Sequence, residues 1–295
     1  MNSTQQQAYE TAVGDRVLHH IFKGINFTIM AYGQTASGKT YTMQGISDDI
    51  TGMFDSENQC PNSPKGISEH DGIIPRVIHD LFQGKMDYKA SGKGNVSMDL
   101  TYFELYNDEI RDLLSEEDEF RALKMLDQGE GGGVIVEGLT SIPIDSASQV
   151  HDLIHYAAER RATASTNANV QSSRSHAICT LTVKTSTVNS NSKVNGSETR
   201  HAKLTLVDLA GSERIKKTGV VGVQQQESIT INKDLFVLGK VVSALADKSR
   251  SAGKGKQAHI PFRDSKLTRL LRESLGGKSI LIYSLLCTRM LGNTH

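Results

Sequence analysis

Hydrophobic residues recur along this 295-residue chain with two different periods. Tyr9, Val13, Val17 and Ile21 are spaced four residues apart, which predicts an amphipathic helix over residues 8–23. Runs rich in β-branched residues predict strands at 25–32, 96–106, 134–136, 177–184, 203–209 and 279–286. Helical spacing and capping residues predict further helices from 39 onward, at 73–82, through 113–114, and at 146–164, 230–246 and 264–275. Because strands alternate with helices, the chain is predicted to be α/β, with a central, mostly parallel β-sheet flanked by helices on both faces.

Composition and charge narrow the class of protein without naming a function. The chain has 33 basic and 33 acidic residues, so no global field favours nucleic acid or a membrane surface. Its cysteines, Cys60, Cys179 and Cys287, lie far apart and form no CxxC pair, which argues against a zinc site or a disulfide framework. The longest apolar stretch, near 280–287, is too short to cross a bilayer. We therefore expect a cytosolic protein with no membrane partner.

A glycine-rich loop follows the first predicted strand. Residues 33–40 read GQTASGKT and match the phosphate-loop pattern GxxxxGK[ST], between a hydrophobic strand and a helix. Backbone N–H groups of such a loop surround phosphate oxygens, Lys39 would neutralise them, and the Thr40 hydroxyl would bind Mg²⁺. The alternative is a chance glycine loop. The residues predicted to bind the nucleotide are Gly33, Gln34, Thr35, Ala36, Ser37, Gly38, Lys39, Thr40 and Tyr41.

A second element supports nucleotide chemistry. The hydrophobic stretch 204–207 ends in Asp208, and Gly211 follows three residues later. In phosphate-loop enzymes an aspartate at such a strand end orients a magnesium-bound water, and a following glycine N–H can reach the γ-phosphate. An acid at a strand end is common by itself. Together with the loop, it predicts a nucleoside triphosphate and Mg²⁺, and a phosphate-loop NTPase fold.

Five motifs resemble those of the kinesin motor domain family, in the family's order. The motifs are AYGQTASGKTYTM at 31–43, NVQSSRSH at 169–176, DLAGSE at 208–213, INK at 231–233 with LG at 238–239, and HIPFRDSKLTRLL at 259–271. The NVQSSRSH and DLAGSE segments are similar to the family's switch I and switch II. The resemblance implies an ATPase that senses the γ-phosphate through these two switches.

The resemblance also assigns roles to residues of the two switches. Ser173 and Thr40 would ligate Mg²⁺, and Asp208 would bind it through water. Arg174 would form an ion pair with Glu213 when both switches engage the γ-phosphate, and Ser172 would position the attacking water. The alternative for Arg174 and Glu213 is an ordinary surface ion pair. Hydroxyls, one ion pair and Mg²⁺ can suffice, because phosphoryl transfer depends mainly on positioning and charge stabilisation.

A basic strip near the end of the chain suggests an acidic partner. Between residues 247 and 272 the chain has eight basic residues against two acids. Taken alone, the strip could be a solvated face or a nucleic-acid patch. With the motor motifs it predicts microtubule binding without nucleic acid, and a place on the microtubule cytoskeleton. The predicted contacts are helix 230–246 and Lys248, Arg250, Lys254, Lys256, Arg263, Lys266 and Arg269. The acidic, glycine-rich segment 127–133 replaces basic residues that many kinesins carry there, so this later strip should matter more.

The resemblance sets expectations for domain organisation and leaves two alternatives open. Residues 1–295 are expected to form one kinesin motor domain that lacks the family's N-terminal adenine-binding strand region, its last helix and its neck linker. Residues 214–218 and 72–76 resemble the chromokinesin class. A decayed site would leave a tubulin-binding module without catalysis. A GTPase-like switch is the third possibility, although the chain has no NKxD motif to read a guanine base.

Overall fold

The computed structural model describes residues 4–14, 16–45, 67–117, 120–129, 133–163, 174–188, 197–213, 223–250, 259–276 and 279–286. The helices are α1 (Gln5–Ala12), α2 (Arg16–Ile21), α3 (Lys39–Gln44), α4 (Ile73–Ala90), α5 (Ala147–Thr163), α6 (Val223–Arg250), α7 (Lys266–Leu270) and α8 (Arg272–Leu275). The strands are β1 (Asn26–Gly33), β2 (Gly94–Tyr106), β3 (Glu109–Asp112), β4 (Lys124–Asp127), β5 (Val134–Glu137), β6 (Ile142–Ile144), β7 (Ser175–Val188), β8 (Ser197–Asp208) and β9 (Ser279–Leu286). A short 3-10 helix, Phe262–Asp264, precedes α7.

The central sheet confirms the predicted α/β class but is mixed rather than mostly parallel. Its strands lie in the order β3-β2-β7-β8-β1-β9, with β6 also paired to β2, and β4 and β5 form a separate hairpin. Among the strands that the structure describes, the β1–β8 and β1–β9 pairs of this sheet are parallel, whereas the β2–β3, β2–β6, β2–β7 and β7–β8 pairs are antiparallel. The sheet is mixed because β7 and β8 follow each other along the chain and pair as a long antiparallel hairpin, which the polar segment 185–199 predicts. Antiparallel pairing needs no helical crossover.

One predicted helix is wrong in part and a second is wrong altogether, and residues with left-handed backbone interrupt the chain in both regions. The predicted helix over 8–23 is two helices, because the chain turns at Gly14, whose φ is +47°. The predicted helix through 113–114 is absent from the described residues there. Instead, Asn107 and Asp108, with φ of 47° and 63°, form a tight turn that reverses β2 into β3.

The core lies on both faces of the sheet, as predicted for helices packed on each side. Along β1 the side chains alternate: Phe27, Ile29 and Ala31 join the cluster that α1, α2, α4 and α5 cover, whereas Met30 joins the cluster beneath α6 and α7. All four are fully buried. The ends of β1 and β8, in parallel register through Ala31 and Asp208, therefore sit between two packed layers. Within the described ranges, no helix is both long and apolar enough to span a bilayer.

Candidate active site

The phosphate loop lies where the sequence predicts it, between β1 and α3. Gly38 has a φ of +88°, which a side chain would strain, and it leads directly into Lys39 at the start of α3. The Lys39 ammonium is buried and donates hydrogen bonds to the carbonyl oxygens of Gly33, at 3.0 Å, and Gln34, at 2.9 Å. Burial lowers the pKa of Lys39, and the carboxylates of Asp208 and Glu213 oppose that shift. The positively charged ammonium of Lys39 is thus held within the phosphate loop.

Asp208 ends β8 directly beside this loop. Its Oδ2 accepts a hydrogen bond from the Thr40 hydroxyl at 2.8 Å, which joins the start of α3 to the strand end. Burial raises the pKa of Asp208, while Arg161, the Thr40 hydrogen bond and Lys39 lower it. Thr40 and Asp208, both predicted to belong to a magnesium site, are therefore in direct contact.

Two buried polar atoms indicate that this site fits a phosphate and a hydrated metal ion. Among the described residues, Ser37 Oγ and Asp208 Oδ1 have no hydrogen-bond partner. A buried polar atom without a partner costs about 1–3 kcal/mol, so such atoms in a native site call for a ligand or water. A hydroxyl can donate to a phosphate oxygen, and a carboxylate oxygen can accept from a magnesium-bound water. The residues present fit MgATP.

The segment after Asp208 closes over the loop through Glu213. Its carboxylate accepts hydrogen bonds from the Thr35 backbone N–H, at 2.8 Å, and from the Thr35 hydroxyl. The Ser212 N–H donates to Gly33 O at 3.1 Å. Partial burial would raise the pKa of Glu213, but the hydrogen bonds from Thr35 hold it below its ordinary value. A Cβ at Gly211 would lie 2.3 Å from Thr35 Oγ1, so this close approach requires glycine.

The remaining predicted catalytic residues are only partly described. Arg174 is half-buried immediately before β7, and its predicted ion pair with Glu213 stays a prediction. Ser172 and Ser173 lie outside the described residues. Tyr41, predicted to line the nucleotide site, is 44% exposed on α3, and its carbonyl accepts a hydrogen bond from Gln5.

Sequence reasoning missed a buried arginine beside Asp208. Arg161, near the end of α5, lies 3.8 Å from Asp208 Oδ2 and 3.5 Å from Glu104 Oε2. Its guanidinium also donates to the Ser175 hydroxyl, with Nη2 at 2.9 Å. One signal could have revealed it: Arg161 follows Ala157 by four residues and so falls on the buried face of the predicted helix.

His176 fixes the backbone of the switch II segment. Its Nδ1 accepts a hydrogen bond from the Ala210 N–H at 3.1 Å. Burial lowers the pKa of His176 to about 3, with Arg161 and Lys39 adding to the shift, so the imidazole is neutral at neutral pH. The motif contained this histidine, but its spacing gave no sign of the role.

The predicted microtubule-binding residues divide into exposed and internally bonded groups. Lys248 and Arg263 are exposed, whereas Arg269 pairs with Asp127 at 3.0 Å and Lys266 donates to a backbone carbonyl of the β2–β3 turn. On α6, Phe236 is 63% exposed. Lys254 and Lys256 lie outside the described residues, and of Arg250 only the backbone is described.

Comparison with known proteins places this site in a family. A model of the kinesin motor domain matches residues 1–289. The chain is 38% identical over 285 residues to kinesin-like protein KIN-5B of Oryza sativa subsp. japonica, covering 93% of this chain and 24% of that protein. It is 38% identical over 287 residues to kinesin heavy chain of Strongylocentrotus purpuratus, covering 97% of this chain and 24% of that protein. The chain thus spans about a quarter of the length of these relatives.

A solved structure agrees with the sequence comparisons. It is described as "Structure of a fast kinesin: Implications for ATPase mechanism and interactions with microtubules". The two superpose with a TM-score of 0.76 and 34% sequence identity, covering 97% of this chain and 70% of the other. The phosphate loop and the strand-end aspartate lie together in the structure, the sequence carries both switch motifs, and the family model covers residues 1–289, so the chain belongs to the kinesin motor domain family.

Proposed function

We propose that this chain binds MgATP, hydrolyses it and couples the cycle to microtubule binding. One observation carries the catalytic part: the 2.8 Å hydrogen bond that joins Thr40 of the phosphate loop to Asp208 at the end of β8. Beside it, the buried second oxygen of Asp208 has no hydrogen-bond partner in the described part of the chain. A hydroxyl and a carboxylate held together next to a buried lysine match what a phosphate-bound magnesium ion requires.

The residues of the site divide the chemistry among them. Lys39 would neutralise phosphate oxygens, Thr40 and Ser173 would ligate Mg²⁺, and Asp208 would hold one of its waters. Bound Mg²⁺ would offset the charge of the β- and γ-phosphates. The Gly211 N–H would donate to the γ-phosphate, and Ser172 would orient the attacking water.

Glu213 has two competing partners in this proposal. Both of its carboxylate oxygens accept hydrogen bonds from Thr35. An ion pair with Arg174 therefore competes with Thr35 for the same carboxylate. Exchange between these partners would link closure of the two switches to the position of the phosphate loop.

Family membership and local charge support the microtubule partner. The description of the related solved structure names interactions with microtubules. In this chain, Lys248 and Arg263 of the basic strip are exposed, and the exposed Phe236 projects from α6. We propose that α6 and this strip face the acidic surface of tubulin, which would place the chain on the microtubule cytoskeleton.

The test is phosphate release from ATP by the purified chain, with and without polymerised tubulin. We expect turnover that rises with microtubules and that falls roughly 10²–10³-fold in Lys39→Ala, because the buried cation beside the phosphates is lost. Lys23→Ala is the matched control, since Lys23 is exposed and hydrogen-bonds only to His19 among the described residues.

A non-catalytic tubulin-binding module is the alternative function. It predicts cosedimentation with microtubules but no turnover, and no effect of Lys39→Ala on either measurement. Absence of turnover in a folded sample that still binds microtubules would reject the ATPase proposal in favour of this alternative.

A further inference from the structure

We propose that Ser115 is a phosphorylation site for a protein kinase that recognises acidic residues after the serine, and that basic residues of an adjoining cavity hold the phosphate. Ser115 lies in the segment between β3 and β4, outside the phosphate loop and both switch motifs. The inference is therefore independent of the proposed ATPase activity, and either can fail without the other.

An unbroken run of acids follows Ser115. Residues 116–119 read EEDE. Glu116 and Glu117 are exposed, and residues 118 and 119 lie outside the described part of the chain. Kinases select substrates partly by the pattern of charge around the serine, and a kinase with a basic substrate groove favours acids there. The sequence after Ser115 thus indicates a kinase of this class.

The Ser115 hydroxyl lies in a segment of irregular backbone. Residues 115–117 and 120–123 belong to no helix or strand, and loops of this kind commonly carry functional sites. The hydroxyl oxygen accepts a hydrogen bond from the Glu117 N–H at 3.2 Å. In the transfer, this oxygen would attack the γ-phosphorus of ATP bound to the kinase, its proton would pass to the kinase's catalytic base, and ADP would leave.

A cavity of about 400 Å³ beside Ser115 contains basic side chains. Arg121 and Lys124 line this cavity together with Ser115, and Arg160 donates hydrogen bonds to the carbonyl oxygens of Ser115 and Glu117. A phosphoserine carries a charge of about −1.5 to −2 and three acceptor oxygens. Space and cations for such a group are thus present beside the hydroxyl.

Arg121 is the cation whose partner should change on phosphorylation. Its Nε donates to Glu117 Oε2 at 2.7 Å, and 75% of the Arg121 side chain is exposed. Exposed ion pairs of this kind are weak. A phosphate accepts stronger, bidentate hydrogen bonds from arginine. We therefore expect Arg121 to leave Glu117 and bind the phosphate.

A second serine, Ser68, provides an internal comparison. It is also half-buried and is followed by acids at positions 69 and 71. The Asp71 carboxylate, however, accepts a hydrogen bond from the Ser68 N–H at 2.7 Å. An acid that is bound to the backbone of its own turn is less available to a kinase groove, whereas Glu116 is exposed. Ser115 should therefore be the better substrate.

The experiment incubates the purified chain with ATP and casein kinase II, an acid-directed kinase, and maps phosphate by mass spectrometry of tryptic peptides. Peptide 112–121 contains one hydroxyl residue, Ser115, and peptide 66–76 contains one, Ser68. We expect phosphate on the first peptide well before the second, and none on it in Ser115→Ala. The synthetic peptide 112–121 is labelled in parallel. Absence of phosphate from peptide 112–121 of the folded chain would overturn the site, whether or not the synthetic peptide is labelled.

Recognition by charge is tested by reversing one acid. Glu116→Lys should slow labelling of Ser115 by roughly tenfold or more, because like charges are then opposed in the kinase groove. Glu10→Lys is the matched control, since Glu10 is exposed on α1 and precedes no part of this segment directly. Equal labelling of Glu116→Lys and wild type would overturn an acid-directed kinase as the partner.

Phosphorus NMR of the phosphorylated chain tests where the phosphate lies. A nearby guanidinium favours the dianion, so the second pKa of the phosphate should be roughly one unit lower in wild type than in Arg121→Gln. Arg16→Gln is the matched control, because Arg16 is exposed on α2 and does not line the cavity. The same pKa in wild type and Arg121→Gln would overturn the placement of the phosphate beside Arg121.

Discussion

Asp208 and Asp234 are two equally buried carboxyl groups in different surroundings. Asp208 is 4% exposed and Asp234 is 3% exposed, and burial is the largest cause of a raised pKa in both. Around Asp208, the guanidinium of Arg161, the Thr40 hydroxyl and Lys39 oppose that shift. Asp234, on α6, lies near another acid, Asp108.

The two surroundings differ in whether a second acid lies nearby. Burial and the nearby Asp108 raise the pKa of Asp234 to about 7, although the Ser265 hydroxyl, Lys233 and Lys266 lower it. Each carboxyl therefore has two cations and one hydroxyl group that oppose the effect of burial, and a nearby acid adds to that effect at Asp234. The pKa of Asp208 is raised as well, and this carboxyl differs in lying beside the phosphate loop, where a perturbed pKa is expected of a functional group.

Replacing Asp208 by asparagine should strongly reduce catalysis, whereas the same replacement at Asp234 should change it little. Asp208→Asn should lower phosphate release from ATP roughly 10–100-fold, because the carboxylate that would hold a magnesium-bound water is lost. Asp234→Asn should keep turnover within about twofold at pH 7, since its carboxyl faces Ser265 rather than the phosphate loop. Equal losses in both variants would contradict the difference between the two sites.

Removing the buried cation near Asp208 should have the largest effect on stability. Arg161→Met leaves the carboxylates of Glu104 and Asp208 buried without that partner, which should reduce the free energy of unfolding by about 3–5 kcal/mol. Arg160→Met, one residue away and partly exposed, should cost about 1 kcal/mol or less. Urea denaturation measures both, and similar losses would mean that the buried pairs contribute little.

A smaller, pH-dependent effect is expected at Asp234. Its carboxyl binds a proton more tightly in the folded chain, so its contribution to stability is present below pH 3.8 and is lost as the pH rises through about 7. Asp234→Asn should therefore raise the free energy of unfolding by about 2–3 kcal/mol more at pH 8 than at pH 5, because the contribution of the protonated carboxyl falls by about 1.4 kcal/mol per pH unit between its unfolded and folded pKa.

The matched control for this pH effect is Asp145→Asn. The Asp145 side chain is 99% exposed, so its replacement should change the free energy of unfolding by less than about 0.5 kcal/mol at either pH. Urea denaturation at pH 5 and pH 8 measures both variants. A gain for Asp234→Asn that is the same at both values would rule out titration of this carboxyl as its cause.

Local motifs predicted those residues of the site that directly follow a strand along the chain. The loop from Gly33 to Thr40 and the strand-end Asp208 follow from glycine spacing and hydrophobic runs, because strand, loop and helix are consecutive. The contacts of Glu213 with Thr35 and of Arg161 with Glu104 join residues far apart in sequence. No spacing rule predicts such pairs, because they depend on which strands become neighbours.

The prediction of the fold from the sequence has the same limit: local patterns predict single elements better than the way elements are connected. Strand β9 was predicted with its observed bounds, since a short apolar run between turn residues has one interpretation. The turn at Asn107 and Asp108 was mistaken for the start of a helix because it supplies left-handed backbone without glycine. Strand direction was also misjudged, because alternation of elements indicates the class of fold but not how each pair is connected.

Ala177 on β7 is paired with Glu104 on one side and with Asp208 on the other, and its small size has a consequence for sequence variation. Arg161 can reach both Glu104 and Asp208 only while residue 177 stays small, and Ala177 is 2% exposed. A larger side chain there would occupy the volume of the guanidinium. Positions 161 and 177 are thus expected to covary among homologues: an arginine at the first should occur with glycine, alanine or serine at the second. A bulky residue at 177 should therefore occur in lineages without an arginine at 161.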